Sequence, residues 1–273
     1  MLKEKLENVR EKSPLVHNIT NYVTVNDVAN IVLAIGASPI MADEVLEVED
    51  ITTICHGLNI NIGTLNARTI PAMLKAGKKA NALNHPVLLD PVGVGASALR
   101  TQTAFDLINQ IQFTVIRGNI SEIKTLALNK GTVNGVDASI EDAVTKENLD
   151  QCIHFVKEFA KKTKSIIAVT GAIDLVSDSE RCFVIRNGDK DMSSITGTGC
   201  QLSALTTAFV CANPDAVLEA TAAAVCTMGL AGEIAKKNML ACDGNATYRN
   251  RIIDAIYHMD GQTLEEGACY EIR

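Results

Sequence analysis

Three short apolar runs in the chain end at a polar residue, pass through a glycine turn and enter a segment of helical periodicity. VLLD (87–90) leads into PVGVGAS, the run 113–116 into Arg117 and Gly118, and IIAV (166–169) into Thr170 and Gly171. Short apolar runs bounded by turns have the length and composition of central parallel strands. Their repetition as β-then-α units predicts an α/β fold: one doubly wound domain over residues 1–273, with a mostly parallel central sheet flanked by helices. Ligands of such sheets bind beyond the carboxyl ends of the strands. Asp90, Arg117 and Thr170 are therefore candidate site residues.

A fourth feature should open onto the same edge. In DMSSITGTGCQLSALTTAFVC (191–211) a polar, glycine-broken turn runs into a helix whose apolar residues Leu202, Leu205 and Phe209 share a face. With a helix start near Gly199 or Cys200, the first N–H groups lack intrahelical partners and sit at the positive end of the helix dipole. Gly197, Thr198, Gly199 and Cys200 would then form an anion hole for phosphate oxygens, with the Cys200 thiol beside it. A glycine-rich loop that only starts a core helix, with Cys200 as a small buried apolar group, fits the same letters. The Walker pattern GxxxxGK[ST] is absent, so a nucleotide site here is of another type.

Composition narrows the partners. With 273 residues the chain can bury a large core, and with no Trp that core is aliphatic. A formal charge of −7 and the lack of a basic, aromatic-interleaved stretch argue against nucleic acid as a partner. The eight cysteines show no CxxC or CxxH spacing and several lie in apolar stretches, which fits a reducing, cytoplasmic setting. The charged start MLKEKLENVREK is not a signal peptide, and no uncharged apolar stretch reaches membrane-spanning length.

Along the rest of the chain, helices are predicted at 2–11, 25–35, 65–83, 98–109, 146–162, 200–211, 214–237 and 246–258, and 131–135 reads as a loop. Thr24 with Asp27 looks like a capping box, and Thr64 like a cap for the helix at 65–83. Short strands are predicted at 38–41 and 57–62, and a hairpin at 173–177 and 182–185. HNITN (17–21) lies between two helices as a polar loop, either a plain surface loop or one that faces a ligand.

Asp90 closes an apolar strand, where a carboxylate is costly unless solvated, hydrogen-bonded or near a cation. It either caps the PVGVG turn or takes part in a magnesium site through water. Asn119 with Glu122 has capping-box spacing; beside Asp90 it also fits a water-mediated magnesium site, because magnesium keeps several of its waters. Arg117 could approach phosphates or form a surface ion pair, and Thr170-Gly171 could contact a nucleotide or simply close a strand.

In combination, HNITNYVT, SPIMAD, LNINIGT, LLDPVGVGAS, IRGNISE, AVTG and ITGTGCQLSA resemble the hydroxyethylthiazole kinases in order and across nearly the whole chain. The resemblance implies a ribokinase-like fold without a separate lid, assembled as a homotrimer whose adjacent subunit helps enclose the site. It implies ATP- and Mg²⁺-dependent phosphorylation of the side-chain alcohol of 4-methyl-5-(2-hydroxyethyl)thiazole, in salvage of the thiazole half of thiamine. Met41, Asn21 and Gly197 would contact the thiazole, Arg117 and Thr170 would bind ATP, and Asp90 and Glu122 would organise the metal through water. Cys200 would be the catalytic residue, standing where related sugar and pyrimidine kinases place an aspartate. The rival readings are a hydroxymethylpyrimidine or sugar kinase of the same fold and a repair enzyme for hydrated nicotinamide cofactors. A cysteine-dependent acyl-transfer enzyme would need a histidine beside Cys200, and a non-catalytic metabolite-binding protein would bind without turnover.

Overall fold

The computed structural model describes residues 1–129 and 143–273; the loop expected at 131–135 lies outside them. In chain order the elements are α1 (Leu2–Lys12), β1 (Leu15–Ile19), α2 (Val25–Ala34), β2 (Ser38–Met41), α3 (Val48–Ile54), β3 (Gly57–Asn61), α4 (Thr69–Ala82), β4 (Val87–Asp90), α5 (Ala98–Gln110), β5 (Val115–Gly118) and α6 (Ile120–Asn129). Then come α7 (Leu149–Thr163), β6 (Ile166–Val169), β7 (Asp174–Ser177), β8 (Cys182–Ile185), a 3₁₀ turn (Lys190–Ser194), α8 (Thr198–Ala212), α9 (Val217–Lys237), α10 (Asn245–His258), α11 (Gly261–Gly267) and β9 (Tyr270–Ile272).

The strands of the described residues form one sheet in the order β2-β1-β3-β4-β5-β6-β7-β8-β9. From β2 to β6 every pairing is parallel, so the carboxyl ends of these strands share one edge; β7, β8 and β9 pair antiparallel. The chain leaves β1 towards β2 and returns on the other side as β3. That reversal of direction opens a crevice at the carboxyl ends of β1 and β3.

Side chains alternate between the two faces of each strand. Leu88, Val115 and Ala168 join a core with α1, α2, α8, α9 and α10, while Leu89, Ile116 and Ile167 join a second core with α4 to α7. Leu205 and Phe209 of α8 are fully buried in the first core, each contributing roughly 1.5–3 kcal/mol of transfer free energy. In α7 the buried Cys152, Val156, Phe159 and Ala160 recur at helical spacing, and Lys164 in the left-handed region closes the helix.

The same alternation positions the site. On β3, Leu58 and Ile60 face the second core, so Asn59 and Asn61 face α8; on β4, Asp90 shares the face of Leu88 and also meets α8. Both asparagines and Asp90 are buried, at most 1% exposed.

Several elements depart from the sequence expectations. His17 and Asn18 of HNITN lie inside β1 and are buried, not in a loop, because β1 pairs on both sides with β2 and β3. Thr64 does not cap a helix: its hydroxyl accepts from the Tyr22 N–H, and α4 begins only at Thr69. The Thr24–Asp27 capping box is not formed, since the Thr24 hydroxyl donates to Asn21 Oδ1 at 3.1 Å and Asp27 pairs with Arg249 at 3.6 Å. The strand expected at 113–116 is Val115–Gly118, which brings Arg117 into the strand itself. α9 starts at Val217, after a turn closed by the Ala216 N–H on the Asn213 carbonyl, and so leaves Pro214 outside its first turn.

By length and composition, α9 is the described helix that could cross a membrane, although Glu219 and Glu233 interrupt its apolar sequence. Most of its residues are buried in the fold, which gives it the character of a core helix.

Candidate active site

The candidate residues meet along the carboxyl edge of the sheet in one chain of contacts spanning β1 to β6. Asn21, just beyond β1, donates from Nδ2 to Cys200 Sγ at 3.2 Å and to Asn61 Oδ1 at 3.0 Å. Asn61 Nδ2 donates to Asp90 Oδ2 at 2.8 Å. Arg117 Nη1 stands 3.5 Å from the same carboxylate oxygen, and Nη2 donates to Thr170 Oγ1 at 2.6 Å.

The turn at 197–200 closes over this row. Gly197 is the N-cap of α8 with φ 89°, a left-handed conformation that favours glycine. A Cβ there would overlap the Thr24 methyl group. The helix therefore starts at Thr198, slightly earlier than expected, and the N–H groups of its first turn have no intrahelical acceptor. A Cβ on Gly199 would lie 2.6 Å from Arg117 Nη1, so the guanidinium packs directly on the helix mouth. Positive charge and free N–H groups thus converge at one spot, which suits an anion.

Asp90 sits opposite. Asn61, Ser203 (2.8 Å) and Arg117 all engage Oδ2, while Oδ1 is buried without a partner. Burial pushes the Asp90 carboxyl above the ordinary carboxylate range, against the pull of Arg117 and the Ser203 hydrogen bond. A buried carboxylate oxygen with nothing bonded to it is costly, and a cation or its water would relieve that cost.

Glu122 forms the capping box that its spacing with Asn119 implies: Oε2 accepts from Asn119 N, and Asn119 Oδ1 accepts from Glu122 N, each at 2.8 Å. Its Oε1 accepts from Gly93 N at 2.9 Å, which ties the turn after Asp90 to α6. Among the described residues no group of three or more His, Cys, Asp or Glu side chains could hold a metal ion. Both Glu122 oxygens are bonded and Asp90 Oδ1 is open, so a magnesium ion at this edge would have to keep most of its waters and be held through them.

Cys200 is buried and its Sγ accepts from Asn21. Burial first, and the nearby Asp90 charge second, raise its pKa, so the resting side chain is a thiol. Among the described residues no histidine is bonded to it. His17 instead bridges Thr52 (3.0 Å) and the Ala42 carbonyl (2.8 Å), and His56 accepts from Leu15 N. The Cys–His pairing that an acyl-transfer enzyme would need is thus not formed.

Met41 ends β2 on the same edge, half-buried against the core that contains Cys200, but it does not join the hydrogen-bonded row. A cleft of about 860 Å³ adjoins the row, lined by Arg117, Thr170, Thr198 and Gly199 and by apolar Leu202, Val225 and Met228. Polar groups at a helix mouth beside an apolar wall suit a nucleotide, with phosphates on the first and a base on the second. Asp174, in the same cleft, accepts from Gly171 N at 2.8 Å, and burial pushes its carboxyl up to about 7.

Asn61 and Ser203 were not singled out from sequence. The signal for Asn61 was present in LNINI, where asparagine alternates with aliphatic residues on what proves a fully buried strand. Ser203 lies one turn into α8, four residues beyond Gly199, and carried no comparable signal.

A mostly parallel sheet with a glycine turn and helix mouth set over a buried carboxylate and an arginine defines a ribokinase-like α/β protein. The pyridoxal kinase of Staphylococcus aureus, solved with AMP-PCP, shares this fold with a TM-score of 0.59 at 18% identity, covering 95% of this chain and 97% of that one. Residues 6–262 match the hydroxyethylthiazole kinase family, and the chain belongs to that family. The hydroxyethylthiazole kinase of Clostridium acetobutylicum is 61% identical over 271 residues, 99% of each chain. That of Clostridium beijerinckii is 49% identical, covering 96% of this chain and 93% of its own length. The structure of the hydroxyethylthiazole kinase protein from Pyrococcus horikoshii OT3 matches with a TM-score of 0.88 at 34% identity, covering 100% of this chain and 98% of that chain.

Proposed function

We propose that the chain, as one kinase domain over residues 1–273, transfers the γ-phosphoryl group of ATP to the hydroxyethyl oxygen of 4-methyl-5-(2-hydroxyethyl)thiazole, in thiamine salvage. The observation that carries this reading is the position of Arg117, which touches Asp90 on one side and packs on the Gly199 helix mouth on the other. Phosphoryl transfer demands alignment and charge stabilisation more than covalent chemistry, and this arrangement supplies both.

Arg117, Thr170 and the N–H groups of residues 197–200 hold and polarise the phosphates. Asp90 and Glu122 would hold a hydrated Mg²⁺, whose chemistry when bound is neutralisation of phosphate charge. Cys200 faces the attacking hydroxyl. As a resting thiol it orients that oxygen; the new P–O bond forms as the bond from the γ-phosphorus to ADP breaks, and the alcohol proton passes late to an oxygen of the transferred phosphoryl group. Asn21, Gly197 and Met41 shape the end that receives the thiazole; methionine adapts well to a sulfur heterocycle.

A homotrimer accounts for the surface around that end. Tyr22 and Leu46 follow Asn21 and Met41 closely in the chain and are 77% and 84% exposed. A neighbouring subunit seated there would cover this apolar collar and close the pocket. Eight unpaired thiols suit a cytoplasmic enzyme.

The test is turnover of hydroxyethylthiazole with Mg-ATP, with the product identified by mass spectrometry and with hydroxymethylpyrimidine, pyridoxal and ribose assayed in parallel. Preferred turnover of another alcohol, or binding of both ligands without ADP release, would overturn the assignment.

A further inference from the structure

Asn61 occupies the centre of the row and its side chain makes three hydrogen bonds. Nδ2 donates to Asp90 Oδ2, and Oδ1 accepts from Asn21 Nδ2 at 3.0 Å and from the Gly63 N–H at 2.9 Å. Asn21 Nδ2 is shared in turn with Cys200 Sγ. The chain turns tightly over this pair: a Cβ on Gly63 would lie 2.9 Å from Asn61 Oδ1 and 3.0 Å from Asn21 Nδ2.

We propose that Asn61 is a positioning residue, which sets the separation of Cys200, on the alcohol side, from Asp90, on the phosphoryl side. The inference rests on the kinase reading above and extends it to a buried residue behind the groups proposed to meet the substrates.

The chemistry of the amide is what points there. One end of the side chain must donate to a carboxylate while the other accepts from an amide, and among side chains of this size only asparagine does both. A β-branched aliphatic residue would be the inexpensive choice on a buried strand, since a buried amide is costly unless fully bonded. Here three bonds offset that cost, and through Asn21 and Asp90 the amide links the groups on either side of the transfer. At 1% exposure no bulk water can take over its bonds. The donors also run one way, from Thr24 to Asn21 to Asn61 to Asp90, so reversing the Asn61 amide would break its contacts to Asp90, Asn21 and Gly63 together.

The test is a double-mutant cycle on kcat, with the full-length enzyme, hydroxyethylthiazole and saturating Mg-ATP. Asn61→Asp keeps the acceptor towards Asn21 and Gly63 but replaces the neutral donor to Asp90 by a second carboxyl, which bonds to Asp90 only by taking up a proton. Alone, it is expected to lower kcat about 100-fold, the scale of a misplacement of about an ångström, with both KM values within about threefold. In a Cys200→Ser background the same change should cost less than about fivefold, because groups that act as a unit are not additive. A full loss in both backgrounds would make Asn61 merely structural, and wild-type kcat for Asn61→Asp would remove the proposal altogether. If Asn61→Asp does not fold by circular dichroism, the smaller, uncharged Asn61→Ser enters the same cycle with the same criteria. Wild-type enzyme that leaves the thiazole unphosphorylated overturns the kinase reading and this one together. An active wild type with a multiplicative cycle overturns the positioning role alone.

Discussion

Arg117 fills the space that a side chain on Gly199 would need: a Cβ there would lie 2.6 Å from Nη1 and 2.8 Å from Nη2. Gly199 is inside the first turn of α8, so alanine meets no backbone penalty and only the guanidinium has to move. Moving it breaks the 2.6 Å bond to Thr170 and shifts the positive charge away from Asp90. Gly199→Ala should therefore still fold, with a lowered melting temperature from the loosened Asp90–Arg117 pair, and lose about 10- to 100-fold in kcat/KM for ATP. Steady-state kinetics beside a melting curve check both halves, and unaltered ATP kinetics would mean that Arg117 does not bind the phosphates.

Cys200 raises a different question, because its resting state is the thiol. If its part is orientation of the hydroxyl, Cys200→Ser should lower kcat about 10- to 100-fold with a smaller change in KM for ATP. Serine is shorter and holds its partner closer, so the row to Asn21 is re-spaced. Cys200→Asp tests proton acceptance directly, since a carboxylate beside Asp90 can take the proton that a thiol cannot. Retained activity in the aspartate variant supports a base at this position, and wild-type rates for the serine variant end any catalytic role for Cys200.

The edge of the sheet was legible in the sequence because strand ends leave a chemical trace. Asp90, Arg117 and Thr170 each terminate an apolar run, and the structure joins all three. Asn59, Asn61 and His17 left a misleading trace, since polar residues that alternate with aliphatic ones usually mark a solvent face. In this sheet both faces are covered: His17 bonds to Thr52 of α3, Asn61 to Asp90 and Asn21, and Asn59 donates to Asn18 while its own Oδ1 has no partner. The partners that satisfy them, such as Thr52 for His17, are remote in sequence, so no local pattern could reveal them. The Asn119–Glu122 box shows the opposite limit: its spacing was correct as a cap, and a role towards a metal rests on where Asp90 lies.

Met41 is the candidate that the hydrogen-bonded row does not reach, so its test is independent of the others. It ends an edge strand, half-buried, and the exposed Leu46 lies five residues on. Met41→Ala should raise KM for the thiazole about 10-fold, the value of a lost apolar contact, with KM for ATP unchanged. An unaltered thiazole KM places Met41 outside the pocket. Leu46→Asp addresses the proposed neighbouring subunit: if the chain is a trimer through this surface, light scattering should show smaller species for the variant and its thiazole KM should rise. A variant that stays monomeric and fully active would remove the subunit contact from the site.

Asp174 gives the pH dependence a definite sign. Burial raises its carboxyl from the usual 3.8 to about 7, so the folded chain holds this proton more tightly than the unfolded chain. Stability from this group is therefore complete at low pH and is lost as pH rises from about 4 through about 7. Asp174→Asn removes the ionisation, so it should melt higher than wild type at pH 8, with the difference shrinking towards pH 5. The same residue lines the cleft proposed for ATP, where an ionised carboxylate repels phosphate. KM for ATP in the wild type should rise between pH 6 and pH 8, and the asparagine variant should flatten that rise. Arg117 acts on Asp174 from the phosphate end and lowers its pKa, so Arg117→Ala should move the inflection to higher pH. A wild-type ATP profile that is flat over this range, with no inflection to move, would show that Asp174 does not face the nucleotide.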